Sequence, residues 1–478
     1  MNIPLSPVFI EHTRSLMGEE RFGRFLKAFD EEPPVSIRVN PFKHAVATEG
    51  DPVPWCPGGC YLSSRPSFTF DPLFHAGAYY VQEAGSMFID RVLRQYVHRP
   101  VTMLDLCAAP GGKSTAARTA LPKGSLLFSN EPMRQRANVL AENMQKWGHP
   151  DVVVTNNYPK DYRQSGLRFD VILADVPCSG EGMFRKDEGA VGEWSTQNVE
   201  HCRRLQREIV EDIWPCLNPG GLLIYSTCTF NSQEDEENVS WIQSQTGAEM
   251  LAVDTCPEWH ITASLLKGEE QMPVYRFIPG ITRTEGLFVC VLRKSDNGMA
   301  EETMTVKGRK KKAKADKGGR KQQKLPPLPA WLSGQEHYRI LMNESSVMAI
   351  PEAWADIYAA ASGLKILHAG ITLGTVKGKN LVPSQSLALS TELLRGSFPT
   401  VEVDYKTAIA YLRTEAVTLP EGTPTGYVLL TYGGGFPIGF VKNIGNRANN
   451  LYPAEWKIKS SHVPDTAPQT GIIIDDNI

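Results

Sequence analysis

Leu104–Thr115, LDLCAAPGGKST, is the stretch on which the reading of this chain turns. Its ending, GGKST, looks like a phosphate-binding loop. Such a loop needs a glycine five positions before Gly112, so that backbone N–H groups can wrap a phosphate. That position is Cys107, and Pro110 inside the turn has no N–H to donate. The match to a triphosphate cradle fails at the residue the cradle most needs. Another reading fits better. Val101–Leu106 is an apolar run carrying Asp105, Gly111 and Gly112 allow a tight turn, and KSTAARTAL has helical character. Strand, glycine turn and helix form the nucleotide-binding corner of a doubly wound sheet. After a second strand, expected at Ser125–Ser129, come Asn130 and Glu131, an acid placed to bond ribose hydroxyls. A nucleoside without a triphosphate suits this corner, and S-adenosylmethionine is such a ligand.

The 478 residues are too many for one core, so several domains are expected. Apolar and charged fractions of 41% and 22% are those of a soluble globular protein. No apolar run is long enough for a membrane span and no signal peptide is evident, so a cytoplasmic protein is expected. Nine cysteines, irregularly spaced, are no disulfide framework. Cys56 and Cys60 could share a metal, but no second ligand pair follows at zinc-like spacing, and no metal is expected. Net charge is only −3, yet Lys307–Lys324 holds ten basic residues and one acid; removing that +9 leaves −12 on the rest. This run reads as a flexible basic linker, either a solvated tether or a nonspecific grip on polyanions.

Organisation follows from composition and periodicity. An amphipathic helix is expected over Pro7–Phe29, followed by the strand-like VSIRVN with Arg38 and Asn40. From about residue 98 to 294 strands and helices alternate, which predicts a parallel sheet between helices. Its strands are placed at Thr102–Leu106, Leu126–Ser129, Val152–Thr155, Val171–Ala174 and Leu222–Ser226, with Phe288–Leu292 closing a terminal hairpin. From about Leu325 onward, glycine-rich apolar segments suggest one or two small β-rich modules.

Two further segments carry chemistry. DVILADVPCSGEGMFRKD places Asp175 at the end of one strand, with Cys178 just beyond. GGLLIYSTCTFNSQEDEENV places Cys228 at the end of the next. As neighbours in one sheet these strands would lie about 4.8 Å apart. Both thiols would then meet at the edge that carries the Gly111-Gly112 turn. A lone cysteine after a strand is usually a small buried hydrophobe. Two at matching strand ends point to nucleophilic catalysis. C5 of a pyrimidine is a poor nucleophile until a thiolate adds at C6. A carboxylic acid near N3 would meet the developing charge, and a base must later remove the C5 proton.

LDLCAAPGGKST, NEPMRQRA, DVPCSG and STCTFNSQEDEENV together resemble the RNA cytosine-5 methyltransferases of the NOL1/NOP2/Sun family. The resemblance spans about residues 33–293. Outside it, VSIRVN, YYVQEAGSM, LHAGITLGTVKGKNLVPSQSLALS and GFPIGFVKNIGNRANNLYPAEWK resemble that family's bacterial branch acting on the small ribosomal subunit. The fold it implies is α/β: a doubly wound, Rossmann-like S-adenosylmethionine-dependent methyltransferase core, a small α+β N-terminal domain and a C-terminal β-rich PUA-like module. The implied domains are 1–97, accessory and RNA-binding; 98–295, catalytic; 296–328, basic linker; 329–395, intermediate; and 396–478, PUA-like. The implied partner is 16S ribosomal RNA, free or in the 30S subunit, bound by a monomer.

The same resemblance implies residue roles. Cys228 would attack C6, and Cys178 would serve product release. Asp175 would hold the target base and line the cofactor pocket, with Lys113 beside it. Ala108, Ala109, Pro110, Gly111, Gly112 and Lys113 would face the methionine end of S-adenosyl-L-methionine, Glu131 the ribose, and Arg136 would stand nearby. Many members have an aspartate after the third strand; here Asn156 or Asn157 would meet adenine. Val176 stands where alanine is usual. Two other readings remain open: a DNA-type cytosine-5 methyltransferase, with Cys178 as nucleophile, and a ribosome assembly factor that has lost catalysis. For RNA, Arg185 and Lys186 are candidates to grip phosphates, and Trp194 to stack on a base or to pack. Lys442, Asn443, Asn446 and Arg447 form a polar turn suited to RNA. Arg203, Arg204 and Arg207 read as an ordinary helix face. Deleting residues 325–478 is expected to weaken RNA binding and leave cofactor affinity unchanged.

Overall fold

The computed structural model describes residues 4–296 and 328–475. The basic run Lys307–Lys324 lies outside the described residues. The centre is a mixed sheet whose parallel part follows the order Leu217–Thr227, Phe169–Asp175, Thr102–Asp105, Leu126–Asn130, Val152–Thr155. Chain order reverses between Thr102–Asp105 and Phe169–Asp175, and a doubly wound sheet opens its ligand crevice at such a reversal. The five strands fall within a few residues of where periodicity puts them. Their near-continuous apolar character has a simple cause: both faces are covered. Met103, Leu127, Val154, Leu173 and Ile224 pack on one side. Leu104, Phe128, Val153, Ile172 and Tyr225 pack on the other. Leu287–Arg293 closes the sheet antiparallel to Leu217–Thr227 and forms the expected hairpin with Val274–Phe277.

The N-terminal helix is two helices, Pro7–Met17 and Glu19–Lys27, not one. Gly18 breaks it by adopting φ 76°, a conformation glycine reaches without steric cost. The break lets Phe9 and Phe25 fold onto the methyltransferase region, with ring centroids 5.2 Å from Phe184 and Phe230 respectively. Arg38 and Asn40 bind this domain to the central one. Arg38 is fully buried, donates to Gln82 Oε1 at 2.9 Å, and lies 4.5 Å over the Trp147 ring. Asn40 Nδ2 donates to the carbonyls of Gly77 and Trp147 at 2.8 and 2.9 Å.

Within residues 328–475, two four-stranded sheets form, one over residues 338–383 and one over 400–450. Two strands there join neither. Ile366–Ala369 pairs antiparallel with Val152–Thr155 and so becomes an edge of the central sheet. Ile472–Ile474 pairs with Ala45–Ala47 of the N-terminal domain. Among the described residues no helix is long and apolar enough to cross a membrane. Nor, among them, do three or more His, Cys, Asp or Glu gather in a group that could hold a metal.

Candidate functional site

The crevice is built from the carboxyl ends of the central strands. The turn after Thr102–Asp105 takes its shape from a cis Ala109-Pro110 bond and from Gly111 at φ 119°. Thr115 N and Oγ1 both donate to Gly111 O at 2.9 Å, which starts the helix Gly112–Ala120. A Cβ at Gly112 would meet Tyr80 and Gln82 at 3.4–3.5 Å, so the N-terminal domain walls this turn. Asp105 lies beneath, fully buried; its Oδ2 accepts from Ser114 Oγ at 2.7 Å and its Oδ1 has no partner. Burial lifts its carboxyl to about 7.

Glu131 is likewise buried, with Oε1 accepting from Met133 N at 2.9 Å and Oε2 3.5 Å from Arg136. Arg136 also donates to Ala109 O at 2.9 Å, tying the second strand's end to the turn. Asn156 Nδ2 donates to Glu131 O and Pro132 O. Asn157 is buried and bonded to the backbone of Lys365.

Across the crevice the register is the decisive feature. Ser226 lies opposite Asp175 in the parallel pair. Ser226 Oγ therefore donates to Asp175 Oδ1 at 2.7 Å, while Lys113 Nζ donates to Oδ2 at 2.9 Å. Burial alone would lower the Lys113 ammonium, but the Asp175 carboxylate overrides it and holds the group above its ordinary value. Two residues beyond Ser226, Cys228 comes to face Cys178, Sγ to Sγ at 3.2 Å. The Cys178 thiol is pushed well up, first by its hydrogen bond with Cys228 and then by burial.

A buried polar frame holds the two cysteine loops together. Glu181 accepts from Phe230 N, Asn231 N, Asn231 Nδ2 and Trp194 Nε1 at 2.7–3.1 Å. Glu234 accepts from Ser179 N and Gln206 Nε2. Arg276, itself buried, pairs with Asp235 and Glu236 and donates to Phe230 O at 2.9 Å. The sequence reading missed Ser226, Glu181 and Glu234 as parts of the site. The signal was present, since all three lie inside the quoted motifs, but the bonds that join the two cysteine loops, Ser226 to Asp175, Phe230 to Glu181 and Ser179 to Glu234, span 49 or more positions.

One expectation needs correction. Arg185 is no phosphate ligand: its guanidinium pairs with Glu285 at 2.7 Å, both side chains nearly buried, and donates to Glu31 O. Trp194 packs edge-on to Phe9 at 5.4 Å and is bonded to Glu181. Lys186 stays exposed, and with Arg65 and Arg283 it borders a groove of about 1050 Å³ between the N-terminal and central domains. Arg203 and Arg204 pair with Glu200 on their own helix, and Arg207 donates to Asn238. In the C-terminal turn Asn443 is spent on the carbonyls of Thr423 and Pro424; Lys442, Asn446 and Arg447 are exposed.

A doubly wound sheet with this crevice is the architecture of a methyltransferase. The fold matches the crystal structure of a methyltransferase homologue from Pyrococcus horikoshii, at 25% identity and TM-score 0.53, over 61% of this chain and 96% of that one. NSun6 from Pyrococcus horikoshii, crystallised with SFG, shares the fold at 19% identity and TM-score 0.51, over 62% and 99%. Four family models match in succession: the N-terminal domain of 16S rRNA methyltransferase RsmF at residues 5–84, 16S rRNA methyltransferase RsmB/F at 97–293, the RsmF first C-terminal domain at 330–390, and the RsmF PUA domain at 398–458. Ribosomal RNA small subunit methyltransferase F of Shigella boydii serotype 4 is 30% identical over 458 residues, 91% of this chain and 92% of that protein. The protein of that name from Aeromonas hydrophila is 30% identical over 88% and 90%. The chain belongs to the ribosomal RNA small subunit methyltransferase F family and is a methyltransferase.

Proposed function

We propose that this enzyme transfers a methyl group from S-adenosylmethionine to C5 of a cytosine in 16S ribosomal RNA, through a covalent bond between Cys228 and C6. The carrying observation is the Cys178–Cys228 contact of 3.2 Å beside the Lys113–Asp175 pair, at the sheet's switch point. The crevice suits the cofactor chemically. Glu131 offers a buried carboxylate for ribose hydroxyls, and the Ala108–Lys113 turn brings backbone close, as a ligand's main-chain contacts require. When bound there, S-adenosylmethionine supplies the methyl group.

The chain's own residues do the rest. The target base leaves its stack at a cost of a few kcal/mol and enters between Asp175 and Cys228. Asp175, fixed from both sides by Ser226 and Lys113, holds the pyrimidine's polar edge. The Cys228 thiolate adds at C6, and negative charge spreads toward N3, where the Lys113–Asp175 pair meets it. C5 then takes the methyl group, whose bond to the sulfonium sulfur breaks as the new bond forms and leaves a neutral thioether. Loss of the C5 proton to a base expels Cys228. Cys178, its sulfur 3.2 Å from that of Cys228, is placed to donate a proton as that thiolate leaves. That role runs against the DNA-type assignment of Cys178 as nucleophile.

The test compares Cys178→Ala with Cys228→Ala, each incubated with S-adenosylmethionine and 16S RNA and run on a denaturing gel. A denaturant-resistant protein–RNA complex with Cys178→Ala alone supports the reading. A complex with Cys228→Ala alone reverses the roles. No complex and no methyl transfer by the native protein would leave an RNA-binding assembly factor.

A further inference from the structure

The third central strand ends at Thr155, and the residues beyond it would form the adenine end of the cofactor site. Their donors are already spent. Asn156 N donates to Lys365 O at 2.9 Å, Asn157 N to Asn130 Oδ1 at 3.0 Å, and Tyr158 N to Asp161 Oδ2 at 2.8 Å. Both hydrogens of Asn156 Nδ2 are used on Glu131 O and Pro132 O, which also fixes which way this amide points. Two functions remain open. Asn156 Oδ1 has accepted one hydrogen bond, from Lys365 Nζ at 2.9 Å, and keeps a second lone pair. Lys365 Nζ keeps two further hydrogens, on a side chain that is exposed.

We infer that Lys365, carried by the first C-terminal domain, binds the adenine ring of the cofactor at N1, beside Asn156. This rests on the cofactor reading proposed above. Glu131 at the second strand's end takes the ribose, and the next strand lies about 4.8 Å farther from the switch point. The base extends that way. Its N9 edge is tied to the ribose, so its outer edge, N1 and the 6-amino group, faces the third strand's end. That edge needs an acceptor for the amine and a donor for N1, side by side. Asn156 Oδ1 and Lys365 Nζ are such a pair, 2.9 Å apart.

Lys365 is held for this task although it is 209 positions from Asn156. Its carbonyl accepts from Asn156 N and Asn157 Nδ2, and its N–H donates to Asn157 Oδ1 at 3.1 Å. The next residue, Ile366, pairs with Thr155 in the sheet. The C-terminal region is thus part of the cofactor site, and its deletion weakens cofactor binding, contrary to the sequence expectation.

The test uses the full chain and calorimetry, with S-adenosylhomocysteine and its 1-deaza analogue, in which N1 is a C–H, as probes. The native protein should bind the analogue about tenfold more weakly, the value of one charge-assisted hydrogen bond. Lys365→Met should bind S-adenosylhomocysteine about tenfold more weakly and no longer distinguish the two probes. Lys365→Arg, which keeps a donor, should still distinguish them. Lys365→Met that distinguishes them as the native protein does, or that weakens both equally, overturns the inference while leaving the cofactor reading intact. A native protein that binds neither probe overturns both.

Discussion

Replacing Glu181 with glutamine removes one negative charge and changes almost no volume, yet it should damage both stability and catalysis. The carboxylate is 2% exposed and receives four donors. Oε2 takes Phe230 N at 2.7 Å and Asn231 N at 3.1 Å; Oε1 takes Trp194 Nε1 at 2.9 Å and Asn231 Nδ2 at 3.1 Å. A glutamine has one oxygen, so whichever way it points, two donors face an NH₂ group. The less costly orientation keeps the two backbone donors and abandons the two side chains. Each buried donor left without an acceptor costs about 1–3 kcal/mol, so Glu181→Gln should cost roughly 2–6 kcal/mol. In a chain of 478 residues, where 1 kcal/mol shifts the melting point by about 1 °C, that lowers the melting temperature by about 2–6 °C. Because Phe230 and Asn231 lie two and three residues past Cys228, methyl transfer at a temperature where the variant is folded should also fall, by an amount set by how far Cys228 drifts from Cys178. Calorimetric melting and a methyl-transfer assay read the two effects. A melting point within a degree of the native value would refute the view that Glu181 holds the cysteine loops together.

Asp105 predicts a pH dependence. Its folded value is about 7, raised by burial, and an unfolded aspartate sits near about 4. Between these values the folded state holds a proton that the unfolded state has released, so this group's contribution to stability falls as pH rises from about 4 to 7 and stays low above. Asp105→Asn should abolish that slope and gain stability at pH 8 relative to pH 5, by a few kcal/mol at most, in urea unfolding at the two pH values. An unchanged difference between the two pH values would remove Asp105 from the account. Arg185→Ala strands the buried Glu285 carboxylate and should cost about 3–5 kcal/mol of stability. The salt dependence of RNA affinity, measured where the variant is folded, should not change; a slope reduced by about 1 would restore Arg185 as a phosphate contact.

The parts of this protein that its sequence determined are those written in short stretches. The apolar runs around Leu104, Phe128, Val153, Ile172 and Ile224 announce strands because burial on two faces demands apolar residues throughout. The motifs name the chemistry, since a thiol, an acid and a glycine turn are legible as residue types. Pairings across the chain are different. Lys113 meets Asp175 over 62 positions, Cys178 meets Cys228 over 50, and Lys365 meets Asn156 over 209. Sheet register sets the first two, and a strand added to the sheet from another domain sets the third. No local periodicity encodes that added strand, because Ile366–Ala369 is as apolar as any strand that stays within its own module. Arg185 shows the converse. In sequence it is one more basic residue in a loop; only packing against Glu285 decides that its charge is spent inside the protein and not on RNA.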